Sequence, residues 1–344
     1  MSKVVFLLGA GASYGKRINS EELTTDDVSL IEEGLPLVFE IKDELEYVYG
    51  WLENVELKDK NYTLFSEKCD VFKMQDELLK GFDWMLEQSA HHATIDTFAK
   101  KLYLKGDTEN YARLKYLLTT FFLIEQSLHP YDKRYDTFFA NILDSDLNIP
   151  NDIYLMTWNY DVQLDIAYQE YNIKGLPMCC PPETRNVDYN AKVFKINGSA
   201  NYYNINHLDS AVLSKLNPSD LLMLLFNQLS IATQKGYYRD GTTDLLFAWE
   251  KDIFNTKCNI LYQNISDAEV LVVIGYTFPF FNREIDREIF SKMPNLNKIY
   301  VQDPKANKVK VSLKSILPSD KYKSMVDDED LIFDTSNFFL PPEL

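Results

Sequence analysis

Two short stretches combine residue types that can act together on a nucleotide. In Trp158-Asn159-Tyr160-Asp161 an amide and a carboxylate stand two residues apart, just beyond the apolar run Asp152–Thr157. An amide can hold ribose hydroxyls and a carboxylate a carboxamide N–H. An Asx turn or helix cap uses the same residue types at a strand end. Near the N-terminus, Val4-Val5-Phe6-Leu7-Leu8 runs into Gly9-Ala10-Gly11-Ala12-Ser13 and Gly15. A buried strand leading into a glycine-rich turn and a helix start is an arrangement that holds a pyrophosphate, with N–H groups and the helix dipole facing the anion. The spacing is one residue longer than the usual dinucleotide fingerprint, and a plain turn accounts for the same glycines. Asp303 follows the run Lys298–Gln302, where it suits either a ribose diol or an Asp-Pro turn. A dehydrogenase would carry its ribose-binding acid about 20 residues after the glycines, at the end of a second strand. Here that region is the acidic segment Glu21–Glu33, with no strand pattern before it.

The elements that position these residues follow from periodicity. Strands are expected at Val4–Leu8, Asp152–Thr157, Lys192–Ile196, Glu269–Ile274 and Lys298–Gln302, with a short edge strand near Leu331. Helices are expected at Val38–Glu56, Glu67–Glu87, Thr94–Tyr103, Glu109–Ser127, Tyr135–Leu143, after Asp161, over a second helical interval of about Asp209–Glu250, and at Asn282–Ser291 and Lys305–Leu317. Lys16–Gly34 reads as a surface loop or short helix. Continuous apolar strands alternating with helices imply an α/β fold: a Rossmann-like, mostly parallel sheet covered by helices on both faces, with a helical module inserted. The sheet core would come from about 1–34, 150–208 and 258–340, and the module from about 35–149 and 209–257. Ligands bind beyond the carboxyl ends of such strands, so Gly9, Asn159, Asn197, Gly275 and Asp303 should line one crevice.

Bulk properties narrow the function. A net charge of −17, from 52 acidic and 35 basic residues, argues against a nucleic-acid surface. The four cysteines lack the paired C-x-x-C spacing of a zinc site and suit a reducing cytoplasm. No apolar segment approaches the ~20 residues of a membrane span, so a cytoplasmic location is expected. Glu284 and Asp286 beside Arg283 and Arg287 read as a solvated helix face. His91, His92 and His129 read as surface or cap residues. Phe121, Phe122, Phe138, Phe139, Phe280 and Phe281 read mostly as core, and Phe278–Phe281 also as a turn exposed enough for an oligomer contact. Cys179-Cys180-Pro181-Pro182 reads as a loop.

Taken in order, Gly9-Ala10-Gly11-Ala12-Ser13, Gly34-Leu35-Pro36, Ile95-Asp96-Thr97-Phe98, Thr157-Trp158-Asn159-Tyr160-Asp161, Lys195-Ile196-Asn197-Gly198-Ser199 and Val273-Ile274-Gly275-Tyr276-Thr277-Phe278-Pro279 resemble the motifs of the Sir2 superfamily along about 300 residues. The set looks most like the divergent NAD-hydrolysing effectors of bacterial antiphage defence. The resemblance implies NAD+ as a substrate, with no metal. It implies that Ala10, Gly11 and Ser13 contact phosphate or ribose, that Asn159 holds the nicotinamide ribose and that Asp161 lies near the carboxamide. Gly275 and Thr277 would line the adenosine side, and Asp303 would meet the adenine ribose. It also implies a homo-oligomer or a partner protein that restrains the activity until infection.

Three features depart from the superfamily pattern. The zinc-binding cysteines are missing, which argues against a protein deacylase. Leu37-Val38-Phe39 stands where sirtuins carry an Arg. Asn197 stands where the catalytic His is expected, and an amide cannot serve as a general base near neutrality. Asp161 or His207 are the candidates to replace it, although a surface histidine is the ordinary reading of His207. Two functions are therefore carried forward: an NAD+ hydrolase releasing nicotinamide and ADP-ribose, and an NAD+ or ADP-ribose sensor that has lost hydrolysis. A structural subunit with a vestigial site would bind no NAD+.

Overall fold

The computed structural model describes residues 2–18, 29–57, 61–64, 67–172, 177–179, 191–202, 217–235, 243–250, 259–317, 322 and 324–344. Five of its strands are runs of apolar and β-branched residues, and they assemble as the periodicity predicts. The sheet strands are β1 (Val4–Leu8), β2 (Ile153–Thr157), β3 (Met178–Cys179), β4 (Val193–Lys195), β5 (Val270–Ile274), β6 (Lys298–Gln302) and β7 (Leu331–Ile332). All are parallel, in the order β7-β6-β5-β1-β2-β4-β3. The first strand therefore lies in the middle, flanked by β5 from the far end of the chain. Chain order reverses between β1 and β5, which is the topological switch point where ligands bind in open α/β sheets.

Both faces of the sheet are covered. Val5 and Leu7 of β1 pack with Leu271, Val273, Ile299 and Val301 under α8 (Asn259–Ile265), α9 (Arg283–Ser291) and α10 (Ala306–Leu313). Val4, Phe6 and Leu8 face the other way, with Val270, Val272 and Ile274, under α5 (Lys133–Ile142) and α6 (Gln163–Gln169). The period-2 alternation sends each set to its own core. A third core joins α1 (Ile41–Asn54), α2 (Val71–His91), α3 (Ile95–Lys105), α4 (Thr108–Leu128) and α7 (Pro218–Lys235). Side-chain caps from Asp70, Thr94, Asp107 and Asp132 start α2 to α5. No helix among the described residues is long and apolar enough to cross a membrane.

Several elements differ from the sequence reading. The glycine turn leads into a four-residue 3-10 turn, Ala10–Ser13, and not into an α-helix. Gly15 follows in the left-handed region and ends the turn. Lys16–Arg17 pairs antiparallel with Ile31–Glu33, and not as a loop or short helix. Glu67–Asp70 is a strand paired with Asn61–Leu64, so α2 begins only at Val71. Gly198–Tyr202 forms a ribbon with Thr243–Leu245, inside the interval read as helical. The helix α5 packs on the sheet, although its sequence lies within the stretch 35–149 assigned to the helical module. Cys179 is in the edge strand, while Cys180 lies outside the described residues.

Candidate functional site

The glycine loop is fixed by backbone contact before any side chain joins in. Gly9 donates its N–H to Ile274 O, and Gly11 donates to Gly275 O, both at 3.0 Å. A Cβ on Gly9 would lie 2.6 Å from Gly275 O, and one on Gly275, whose φ is +60°, would lie 2.5 Å from Gly11 Cα. Ala12 donates to Gly9 O at 2.8 Å. The N–H groups of Gly9, Gly11 and Ala12 are thus spent inside the chain. The expectation of a helix N-terminus aimed at phosphate is corrected accordingly: the 3-10 turn is too short to carry such a dipole. The absence of side chains at Gly9 and Gly11 serves first to interlock β1 with the loop after β5.

The start of α5 grips this loop from behind. Asp132 accepts from Gly15 N–H at 2.9 Å, and Arg134 donates to Gly11 O at 3.0 Å. Tyr135 and Ser13 share a hydrogen bond between their hydroxyls at 3.0 Å. These three residues gave no signal in the sequence, because their role arises from a contact more than a hundred residues away.

Asn159 joins the same assembly. Its Nδ2 donates to Gly9 O at 2.9 Å and to Ser13 Oγ at 3.0 Å. This leaves its Oδ1 as the atom able to accept a ligand hydroxyl. Asp161 is buried, and burial raises its carboxyl pKa against the opposing effect of the Lys195 ammonium. One carboxylate oxygen accepts from Gln163 N–H at 3.0 Å, the Asx-turn arrangement. Lys195 is 1% exposed; it forms an ion pair with Asp165 and donates to Asp161 O at 2.7 Å. The strand pattern gave no hint that this lysine is in the core. Asn197 Nδ2 donates to Trp158 O at 3.0 Å, whereas its buried Oδ1 has no hydrogen-bond partner among the described residues.

Beyond the strand ends lies a cavity of about 540 Å³. Its lining includes Ala10, Gly11, Ser13, Asn159, Asp161, Asn197, Gly275, Thr277 and Asp303, so nine of the ten residues expected at the site meet here. Gly9 is the exception and serves beneath it. Asp96 also lines this cavity, with a carboxyl pushed up to about 6 by burial. It stood in a quoted motif without a role. A second cavity of about 690 Å³ shares Gly11, Gly275, Thr277 and Asp303 with the first. Lys16, Lys133, Arg134 and Lys305 line it together with Glu33, Asp132 and Asp303; Lys16 pairs with Glu32, Lys133 with Glu33 and Arg134 with Asp132. Asp303 lies at the junction, and one of its oxygens accepts from Lys305 N–H at 2.7 Å. The turn reading is thus realised, while the residue still faces both cavities.

Other expectations are corrected. Asp286 is 1% exposed and not part of a solvated face: both its oxygens accept from Tyr276 OH, at 3.1 and 3.0 Å, and burial raises its pKa to about 8. Tyr276 in turn stacks on Trp158 beneath the crevice. His129 is buried, whereas His91 is on the surface. Phe121, Phe122, Phe138 and Phe139 are core, but Phe280 is 75% exposed at the cavity mouth and Phe278 is buried. His207 lies outside the described residues. No protein-family model matches the chain, and neither a curated protein nor a solved structure matches it.

Proposed function

We propose that this chain binds NAD+ across the two joined cavities and hydrolyses its nicotinamide–ribose bond. The observation that carries the reading is the division of the crevice. One half offers two amides and two carboxyls, Asn159, Asn197, Asp96 and Asp161, and the other sets Lys16, Lys133, Arg134 and Lys305 among Glu33, Asp132 and Asp303, a net positive charge of one. A ligand with a cationic pyridinium and ribose at one end and a pyrophosphate in the middle complements that division. Each cavity also falls within the roughly 300–1,000 Å³ range of small-molecule sites.

Hydrolysis breaks the C1′–N1 bond, and the bonding pair neutralises the pyridinium nitrogen of the departing nicotinamide. Water adds to C1′ of the oxocarbenium-like species and releases one proton. Asp96 and Asp161 stabilise the positive charge that moves onto the ribose. Asn159 and Asn197 orient ribose hydroxyls or water through their Oδ1 atoms. Asp96, with its pKa near neutrality, accepts the released proton in place of a histidine. The physiological role that goes with this chemistry is NAD+ depletion in antiphage defence, restrained by self-association or by a partner protein.

A second reading is a sensor that binds NAD+ or ADP-ribose without cleaving it, favoured by the absence of histidine among the described residues lining either cavity. Purified protein incubated with NAD+ should release nicotinamide, followed by chromatography. Tight binding with NAD+ left intact would select the sensor, and absence of binding would refute both. Asn197→His, whose ring N–H can replace the bond to Trp158 O, is expected to raise turnover.

A further inference from the structure

Among residues that line neither cavity, three ionisable side chains converge without satisfying one another. Glu44 comes from α1, Glu125 from α4, and His129 caps the C-terminus of α4 four residues later. All three are buried, and one ligating atom from each lies within 4.8 Å of the others. Glu44 is positioned by Leu30 N–H at 2.7 Å and by Ser29 Oγ at 3.0 Å. Ser29 Oγ also lies 3.2 Å from His129 Nε2. Glu125 is different: it is 0% exposed, and neither of its carboxyl oxygens has a hydrogen-bond partner among the described residues. Its Oε2 lies 3.9 Å from His129 Nε2, too far for a hydrogen bond.

A buried carboxyl without a partner is costly. Metal coordination is one of the few ways to satisfy it. We propose that Glu44, Glu125 and His129 bind one divalent transition-metal ion. One imidazole nitrogen and two carboxylates suit Zn2+, Mn2+ or Fe2+ better than Mg2+ or Ca2+. Two carboxylates balance the charge of a divalent ion. The nearby Arg17 guanidinium is paired with Glu40. Ser29 Oγ or a water supplies a fourth position.

The ion would fasten the Ser29–Leu30 segment to α1 and α4. From there the chain passes through Ile31–Glu33 to Gly34, whose N–H donates to Pro130 O at 2.9 Å. Gly34 also packs on Ser13 and Gly15 of the glycine loop. The metal is thus structural, and it stands independently of the NAD+ reading.

The test uses full-length protein expressed in medium supplemented with zinc and manganese, then purified without chelator. Elemental analysis should find about one ion per chain. Prolonged chelation should remove it and lower Tm, and Co2+ added to stripped protein should restore Tm and give a visible d–d spectrum. Glu125→Gln should fold, by circular dichroism, yet hold no ion and show no Co2+ spectrum. If Glu125→Gln does not fold, His129→Asn carries the same test. Wild-type protein without a stoichiometric ion, or a variant that retains the metal undiminished, would overturn the proposal.

Discussion

Gly11 and Gly275, separated by 264 positions in the chain, meet backbone to backbone. The N–H of one donates to the carbonyl of the other at 3.0 Å, and no Cβ fits between them. This seam holds the two sides of the switch-point crevice together.

Gly275→Ala tests the seam. The new Cβ would lie 2.5 Å from Gly11 Cα, and the φ of +60° disfavours any L side chain. The expected cost is roughly 2–4 kcal/mol of unfolding free energy, read from denaturant midpoints. Ligand affinity should fall with it, because the clash lies directly under the crevice. An unchanged midpoint would show that the loops can separate without loss.

Lys195 carries a different load. Lys195→Met removes the cation that faces Asp165 and Asp161 in a buried site. Leaving a carboxylate unpaired should cost about 3–5 kcal/mol, and the double change with Asp165→Leu should recover much of it. Equal losses in the single and double variants, measured by urea denaturation, would assign the lysine's importance to its other bonds.

Asp96 should make both stability and turnover depend on pH. Its folded pKa of about 6 lies above the ordinary 3.8, so the native state holds the proton more tightly. That contribution to stability is full below 3.8 and is lost as pH rises through about 6. Asp96→Asn should therefore be more stable than wild type at pH 8, with the advantage shrinking toward pH 4. Turnover of NAD+ by wild type should fall as pH drops through about 6, and the variant should lose that limb together with most activity. A variant less stable than wild type at pH 8 would reveal a structural role for the ionised carboxylate.

Asn159→Ala should lower NAD+ affinity and also loosen the loop, since its Nδ2 holds Gly9 O and Ser13 Oγ. The stability cost should be about 1–3 kcal/mol. Calorimetric titration separates the two effects: binding that weakens no more than stability does would leave Asn159 purely structural.

The strand cores were legible because a parallel sheet buried on both faces demands unbroken apolar runs, and Val4–Leu8 and Lys298–Gln302 appear with the predicted bounds. Their ends then placed Asn159, Asn197, Gly275 and Asp303 at one cavity. What local patterns could not carry were pairings across long separations. Arg134 reaches Gly11, and Lys195 lies buried beside Asp165. The charged string Arg283-Glu284-Ile285-Asp286 reads as a polar face, yet Tyr276 takes Asp286 into the core. The antiparallel ribbons were missed because Glu67–Asp70 and Gly198–Tyr202 are short and polar.

The central position of β1 also bears on biosynthesis. During synthesis β1 must wait for β5, and the crevice lacks one wall until residues 270–303 have emerged. Growing chains and C-terminally truncated fragments would thus be inert toward a ligand of the finished site. Half-made copies of the chain therefore lack the finished crevice.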